Sequence, residues 1–296
     1  MIENTMRKSI VFLWLAATVL LPGCAAKSTG DLSSKYGNPG EVMNTAGEYE
    51  RLGDINLRGG DISTAFINYS RALQLEPERL SVAYKTGRLF LLKGMTEEAR
   101  IEFEKIIRND PKDARAHEAM GRAYLLDGDN EQAVKHFTTV LGINELLWET
   151  HSLLGIAYDR QKEFSLAVDH YKRAISLKPD AGAVYSNLGV SYYLNEQYDR
   201  AKDAFVTAIE KGEHGSRVYN NLAVTLAKLG NYRAAYDALK KAGSNATAHN
   251  NIGYLYLLDG KNEEAVLAFE KAIELSPAFY AKAHENLNAA KDALQE

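Results

Sequence analysis

The 296-residue chain is 46% hydrophobic, enough to fold, and its 35 basic and 39 acidic side chains leave a formal charge of −4. No block of basic residues is present, which argues against nucleic acid or an anionic lipid surface as a partner. The only cysteine, Cys24, excludes an intramolecular disulfide.

The first element has the layout of a secretory signal, residues 1–23. Arg7 and Lys8 precede an apolar run from Ile10 to Leu21. Its 12 residues are too few to cross roughly 30 Å of hydrocarbon as a helix. The run closes Leu21-Pro22-Gly23-Cys24 and resembles a bacterial lipobox, whose cysteine becomes the lipidated first residue of the mature protein. Pro22 departs from the small or branched residue usual at that place. A signal peptide with a chance cysteine is the alternative, disfavoured because the rest of the chain is free of cysteine. Lipidation would anchor the chain to a membrane without spanning it. Ala25, where aspartate resembles a mark for inner-membrane retention, implies the outer membrane. Residues 24–45 carry Gly, Ser, Lys and Asn with little apolar periodicity and read as a flexible tether.

From there a pattern recurs every 34 residues, at Gly53, Gly87, Gly121, Gly155 and Gly189. Twelve residues on stands Ala65, Ala99, Ala133, Ala167 or Ala201, and four further an aromatic, Tyr69, Phe103, Phe137, Tyr171 or Phe205. Each unit reads as two antiparallel helices joined by a turn. Around Gly155 the first helix carries Leu154, Gly155 and Tyr158; the second carries Ala167, Tyr171 and Ala174 and is closed by Pro179. A helical glycine costs up to about 1 kcal/mol relative to alanine, so it is expected only where two backbones approach closely. The aromatic is expected to fill the groove against the following unit.

These residues and spacings resemble the tetratricopeptide repeat. The resemblance implies an all-α, right-handed superhelical solenoid of about seven helix-turn-helix repeats: 46–79, 80–113, 114–147, 148–181, 182–215, 216–245 and 246–279. A capping helix at 280–296 would follow, with Ala283, Leu287, Ala290 and Leu294 turned inward. Three departures stand out. Ala223 and Leu239 replace glycine and aromatic in the sixth unit. Ala223 and Gly253 are 30 residues apart, so four are missing near the end of that unit. Glu145 and Glu213 stand where proline is expected, which predicts local irregularity at both.

Nothing assembles a catalytic, metal or cofactor site. The seven histidines lack metal-ligand spacing, and His117, His151 and His249 fall at repeat position 4, where large residues pack. Asp127-Gly128-Asp129 reads as a turn and not as a calcium loop. The chain is therefore expected to be no enzyme, to need no cofactor and to take no small-molecule substrate.

Stacked repeats present their first helices on a concave surface. The resemblance carries ligand-facing positions onto Tyr84, Arg88, Arg122, Tyr193, Asn220, Lys228, Asn250 and Tyr254. Asn187, Asn221 and Asn251, at position 6, favour a scaffold role. A chaperone-binding subfamily clamps carboxylates with lysine and asparagine at positions 5 and 9 of its first unit; here these are Glu50 and Asp54, so that ligand class is disfavoured.

Lipobox, tether, repeats and terminal helix together resemble the TadD-type lipoproteins of the tight-adherence (Flp/Tad) pilus system. The last repeat, Ala248 to Leu258, and Ala278-Phe279-Tyr280 leading into Ala283-His284-Glu285-Asn286-Leu287, look especially like that family. The resemblance implies a pilotin-like scaffold of the bacterial envelope. It would be anchored to the outer membrane, facing the periplasm, and would bind a secretin or another pilus-assembly component. An adaptor for cell-wall hydrolases or outer-membrane protein assembly is the alternative. A targeting arm of an enzyme is a second, disfavoured because little chain lies outside signal, tether and repeats. The slip to 30 residues marks the C-terminal end as the first place to seek the partner.

Overall fold

The computed structural model describes residues 45–276 and 280–295; the expected signal, Cys24 and nearly all of the tether lie outside the described residues. The described chain is all-helical, with fifteen α-helices and no strand. None is long and apolar enough to cross a membrane. Contacts divide it into two units, the first ending at Gln161 and the second beginning at Lys162.

In the first unit α1 (Ala46–Arg58) pairs with α2 (Ile62–Leu75), α3 (Leu80–Leu92) with α4 (Thr96–Asn109), and α5 (Ala114–Asp127) with α6 (Asn130–Ile143). α7 (Trp148–Arg160) completes it, and each second helix packs on the next first helix. The second unit starts with α8 (Phe164–Leu177). Then come the pairs α9 (Gly182–Leu194) with α10 (Tyr198–Glu210), α11 (Ser216–Lys228) with α12 (Tyr232–Ala242), and α13 (Asn245–Leu258) with α14 (Asn262–Leu275). α15 (Tyr280–Asp292) packs on α14.

Local signals set the helix ends. Thr45 and Glu48 form a reciprocal cap on α1, and Asp61, Asp113, Asp129, Asn231 and Ser244 accept from backbone N–H groups of the helices they open. Glu76, Asp110 and Lys178 precede prolines, leave the helical region, and end α2, α4 and α8.

The expected irregularity at Glu145 is not found. Asn144 adopts the extended conformation that Asp110 has before Pro111. Both side chains accept from the N–H two residues on, at 3.0 Å. A side-chain hydrogen bond there replaces the proline's constraint. At Glu213 the ending does differ: α10 stops at Glu210 and Gly212 turns the chain at φ 91°.

The glycine–aromatic period has a direct cause. A Cβ at Gly87, Gly121 or Gly189 would lie 2.6 Å from the ring of Phe103, Phe137 or Phe205. At Gly253 it would lie 2.9 Å from Phe269. In these repeats the aromatic therefore locks onto the glycine of its own unit, and it also packs in one cluster with the next first helix, Phe103 with Ala116, Ala119, Met120 and Ala123, and Phe269 with Leu287 and Ala290. The sixth repeat makes the exchange together: Ala223 adds the methyl and Leu239 replaces the ring, both fully buried. The missing residues come from the end of α12, which has 11 residues, and Gly243-Ser244 leads straight into α13. In α15, Ala283, Leu287 and Ala290 are buried as expected, but Leu294 is exposed because the helix ends before reaching it.

Gly121→Ala is expected to cost about 1–3 kcal/mol, because the new methyl overlaps the Phe137 ring. Adding Phe137→Leu should recover much of that loss, reproducing the pairing of the sixth repeat. Denaturant unfolding measures both; equal losses in the single and double variants would refute the lock.

Candidate protein-binding surface

First helices adjoin across repeats: α3 with α5 and α5 with α7 in the first unit, α9 with α11 and α13 with α15 in the second. The residues expected to meet a ligand lie on these helices.

In the first unit Glu50 and Asp54 are already engaged. Lys85 Nζ donates to Glu50 Oε1 and Asp54 Oδ2 at 2.8 Å, Arg79 Nε donates to Glu50 Oε2 at 2.7 Å, and the Tyr69 hydroxyl donates to Asp54 at 2.7 Å. Burial alone would raise the Glu50 carboxyl, but hydrogen bonds from Lys85 and Arg79 outweigh it and hold it below the usual range. These acids bind the chain's own cations.

Beside them, the structure brings Tyr84, Arg88 and Arg122 together. Tyr84 is half-buried, 5.9 Å from Phe103, with Arg88 at 6.0 Å and Arg115 at 5.5 Å from its ring centre. Burial raises its phenol, under the charges of Arg88, Glu118, Arg115 and Arg122. Arg115 is paired with Asp113 at 2.9 Å, and Arg122 with Glu118 at 2.9 Å. Arg88 is exposed and makes no ion pair among the described residues.

In the second unit the expected residues divide. Tyr193 is 7% and Asn250 6% exposed. Asn250 accepts from Asn286 at 3.2 Å and donates to Asn251 at 3.3 Å, so it ties α13 to the cap. Asn220 and Tyr254 are half-buried, and Lys228 is exposed but paired with Asp259 at 3.4 Å. Asn221, 1% exposed, finds no partner for either carboxamide atom.

The histidines at position 4 serve the scaffold. His117 Nε2 donates to Pro111 O, and His151 Nε2 to Glu145 O, each at 3.1 Å. Donation from Nε2 leaves His117 Nδ1 as acceptor for His136 Nδ1–H at 2.9 Å. His136 stacks on Tyr124 at 5.5 Å, and Arg100 lies 4.9 Å above the other ring. His249 Nε2 shares a hydrogen bond with the Tyr236 hydroxyl at 2.8 Å. The carboxylates of the Asp127-Gly128-Asp129 turn are likewise used, Asp127 by Thr96 and Arg100, Asp129 as the cap of α6. Sequence reasoning did not foresee the His117–His136 bond, since no spacing rule links 19 residues across a hairpin.

Tandem helical hairpins closed by a glycine–aromatic lock, with side chains gathered on a face and not in an enclosed cavity, define a helical repeat protein that works by its surface. Models described as tetratricopeptide repeat match residues 50–114, 102–135, 148–181, 186–243 and 246–279. The chain belongs to the tetratricopeptide-repeat proteins, and none of these models is of an enzyme family. No curated protein matches the chain. Among solved structures, a tetratricopeptide repeat protein from Parabacteroides merdae is 18% identical, with 83% of this chain and 98% of that one covered, at TM-score 0.62. PilF of Pseudomonas aeruginosa is 21% identical over 71% and 96%, at 0.55. MamA of Desulfovibrio magneticus is 20% identical over 56% and 94%, at 0.53. These likenesses establish the fold. Such repeats form a scaffold for protein–protein interaction.

His136 makes the stability of the first unit depend on pH. Burial, with the charges of His117 and Lys135, lowers its pKa to about 4 against a partial opposing effect of Glu104. Between about pH 6.5 and 4 the unfolded chain binds a proton that the native chain refuses, so stability rises with pH across that window and falls on acidification. With solvent screening of this partly exposed ring, the effect is about 1–2 kcal/mol. The stability difference between the protein and His136→Gln should shift by that amount between pH 7 and 4.5 in urea unfolding. A pH-independent difference would contradict the assignment.

Proposed function

We propose that this chain is an outer-membrane lipoprotein, anchored through Cys24 and facing the periplasm. In this reading it is a pilotin-like scaffold that helps assemble a Flp/Tad pilus machine by binding a secretin or another pilus component. The observation that carries partner recognition is Arg88, an exposed cation without an ion pair among the described residues, beside half-buried Tyr84. The neighbouring acids are neutralised within the chain, so the unspent charge on this face is positive. A partner segment with a carboxylate over Arg88 and an apolar or aromatic side chain against Tyr84 fits that arrangement. The envelope placement is supported by the lipobox resemblance at Leu21-Pro22-Gly23-Cys24, and the pilus assignment by the residues of the last repeat and cap.

Two measurements test this. Cys24→Ser should move the protein from the membrane to the soluble fraction; unchanged membrane association would remove the anchor from the reading. Capture from envelope extract should recover a secretin or pilus component, and Tyr84→Ala with Arg88→Glu should weaken it by about tenfold or more, as for a central anchoring pair. Recovery of hydrolases alone would favour the adaptor reading.

A further inference from the structure

Three joints between successive hairpins are tied by the same kind of hydrogen bond. The residue opening a second helix donates to the end of the next repeat's first helix: Thr96 to Asp127, Tyr232 to Asp259 at 2.6 Å, and Asn262 to the Ala293 carbonyl at 2.8 Å. Between the fifth and sixth repeats the corresponding residues are Tyr198 and Leu229. The leucine side chain offers no acceptor, and the Tyr198 hydroxyl makes no hydrogen bond among the described residues. A groove of about 470 Å³ lies there, lined by Glu196, Gln197, Tyr198, Asp199, Arg200 and Leu229.

Two further observations point to a ligand. Tyr193, 7% exposed, has its ring 5.4 Å from that of Tyr198, and its hydroxyl also has no hydrogen bond among the described residues. Glu196, on the lip, makes no ion pair among the described residues. The other charges nearby are largely engaged. Lys202 is shared by Asp199 at 3.7 Å and Asp203 at 3.4 Å, and Lys228 pairs with Asp259 at 3.4 Å; Arg200, whose 2.8 Å hydrogen bond goes to the neutral Gln197, keeps its charge at the groove's edge. Burial, Glu196 and Asp259 all raise the Tyr198 phenol. Glu196 also holds φ 58°, at the turn position where five other repeats have Gly60, Gly94, Gly128, Gly230 and Gly260 and the fourth has Lys162 at φ 64°. A carboxylate occupies a place that the backbone would give to glycine.

We propose that this groove receives a basic side chain, arginine or lysine, of a partner protein. Its cationic head would lie on the Tyr198 ring and against the Glu196 carboxylate, with the aliphatic stem on Leu229. The site is separate from the first-helix face around Arg88 and stands independently of the function proposed above.

The test titrates the ¹⁵N-labelled full chain with an acetylated, amidated Gly-Gly-Arg-Gly-Gly peptide and its glutamine analogue, following amide shifts. The arginine peptide should shift Gln197, Tyr198 and Leu229 saturably and the glutamine peptide should not. Glu196→Gln should weaken binding about two- to fivefold, the range of an exposed ion pair. Glu196→Gly removes the same carboxylate while relaxing the turn, so it should weaken binding with an unchanged or higher melting temperature. Arg88→Glu should leave the titration unaltered. Equal shifts from both peptides, shifts mapping elsewhere, or full affinity in Glu196→Gly would overturn the proposal.

Discussion

The contact on which the rest depends is the seating of an aromatic ring on a side-chain-free turn of the facing helix. The distances leave no freedom: a single methyl at Gly121 would sit 2.6 Å from Phe137, well inside van der Waals contact. This sets how closely the two helices of a hairpin approach, and hence where their remaining side chains fall. The ring is fully buried, as is the alanine four residues before it, so each hairpin has a small dry centre of its own. Such a unit is too small to stand alone, and stacking second helices on the next first helices extends the apolar contact. The glycine weakens its own helix by about 1 kcal/mol, which the close packing offsets.

Because the lock and the stacking use the inner sides of both helices, the exposed side of each first helix is released from packing. In the first unit that face is an electrostatic surface, but much of its charge is consumed internally. Lys85 and Arg79 hold Glu50 and Asp54, and Glu118 holds Arg122. A ligand must either break a half-buried pair, leaving an uncompensated charge, or address what is left over. Arg88 beside Tyr84 is left over. Recognition then falls on few residues even though many line the face.

The scaffold was legible from the sequence because the lock demands particular residues at fixed spacing, and a period survives any variation elsewhere. The site was legible only in part. Position in the repeat predicts which way a side chain points, not what stands opposite it. Tyr84 and Arg88 keep open surroundings, whereas Asn250 meets Asn286 of the cap and Tyr193 is covered by its neighbours. Glu145 shows the converse limit. Proline is one way to end a helix, but the Asx turn at Asn144 gives the same extended conformation from a residue that carries no period. The His117–His136 bond depends on a ring orientation fixed by the Pro111 carbonyl, a backbone atom that no residue pattern reports.

Uniform stacking also makes small departures consequential. A repeat whose neighbours are tied by Thr96–Asp127, Tyr232–Asp259 and Asn262–Ala293 bonds closes its turn edge with its own polar groups. At the Tyr198–Leu229 joint no such bond forms among the described residues, while the glycine–aromatic lock at Gly189 and Phe205 stays intact. Packing inside the hairpin and bonding at its edge are thus separable. The first maintains the fold and tolerates little; the second can be lost at one joint without disturbing the helices on either side. The Tyr198–Leu229 joint also carries Glu196 in the left-handed turn, as Lys162 does one repeat earlier. At the Tyr198–Leu229 joint the two departures bring a phenol and a carboxylate to the same groove.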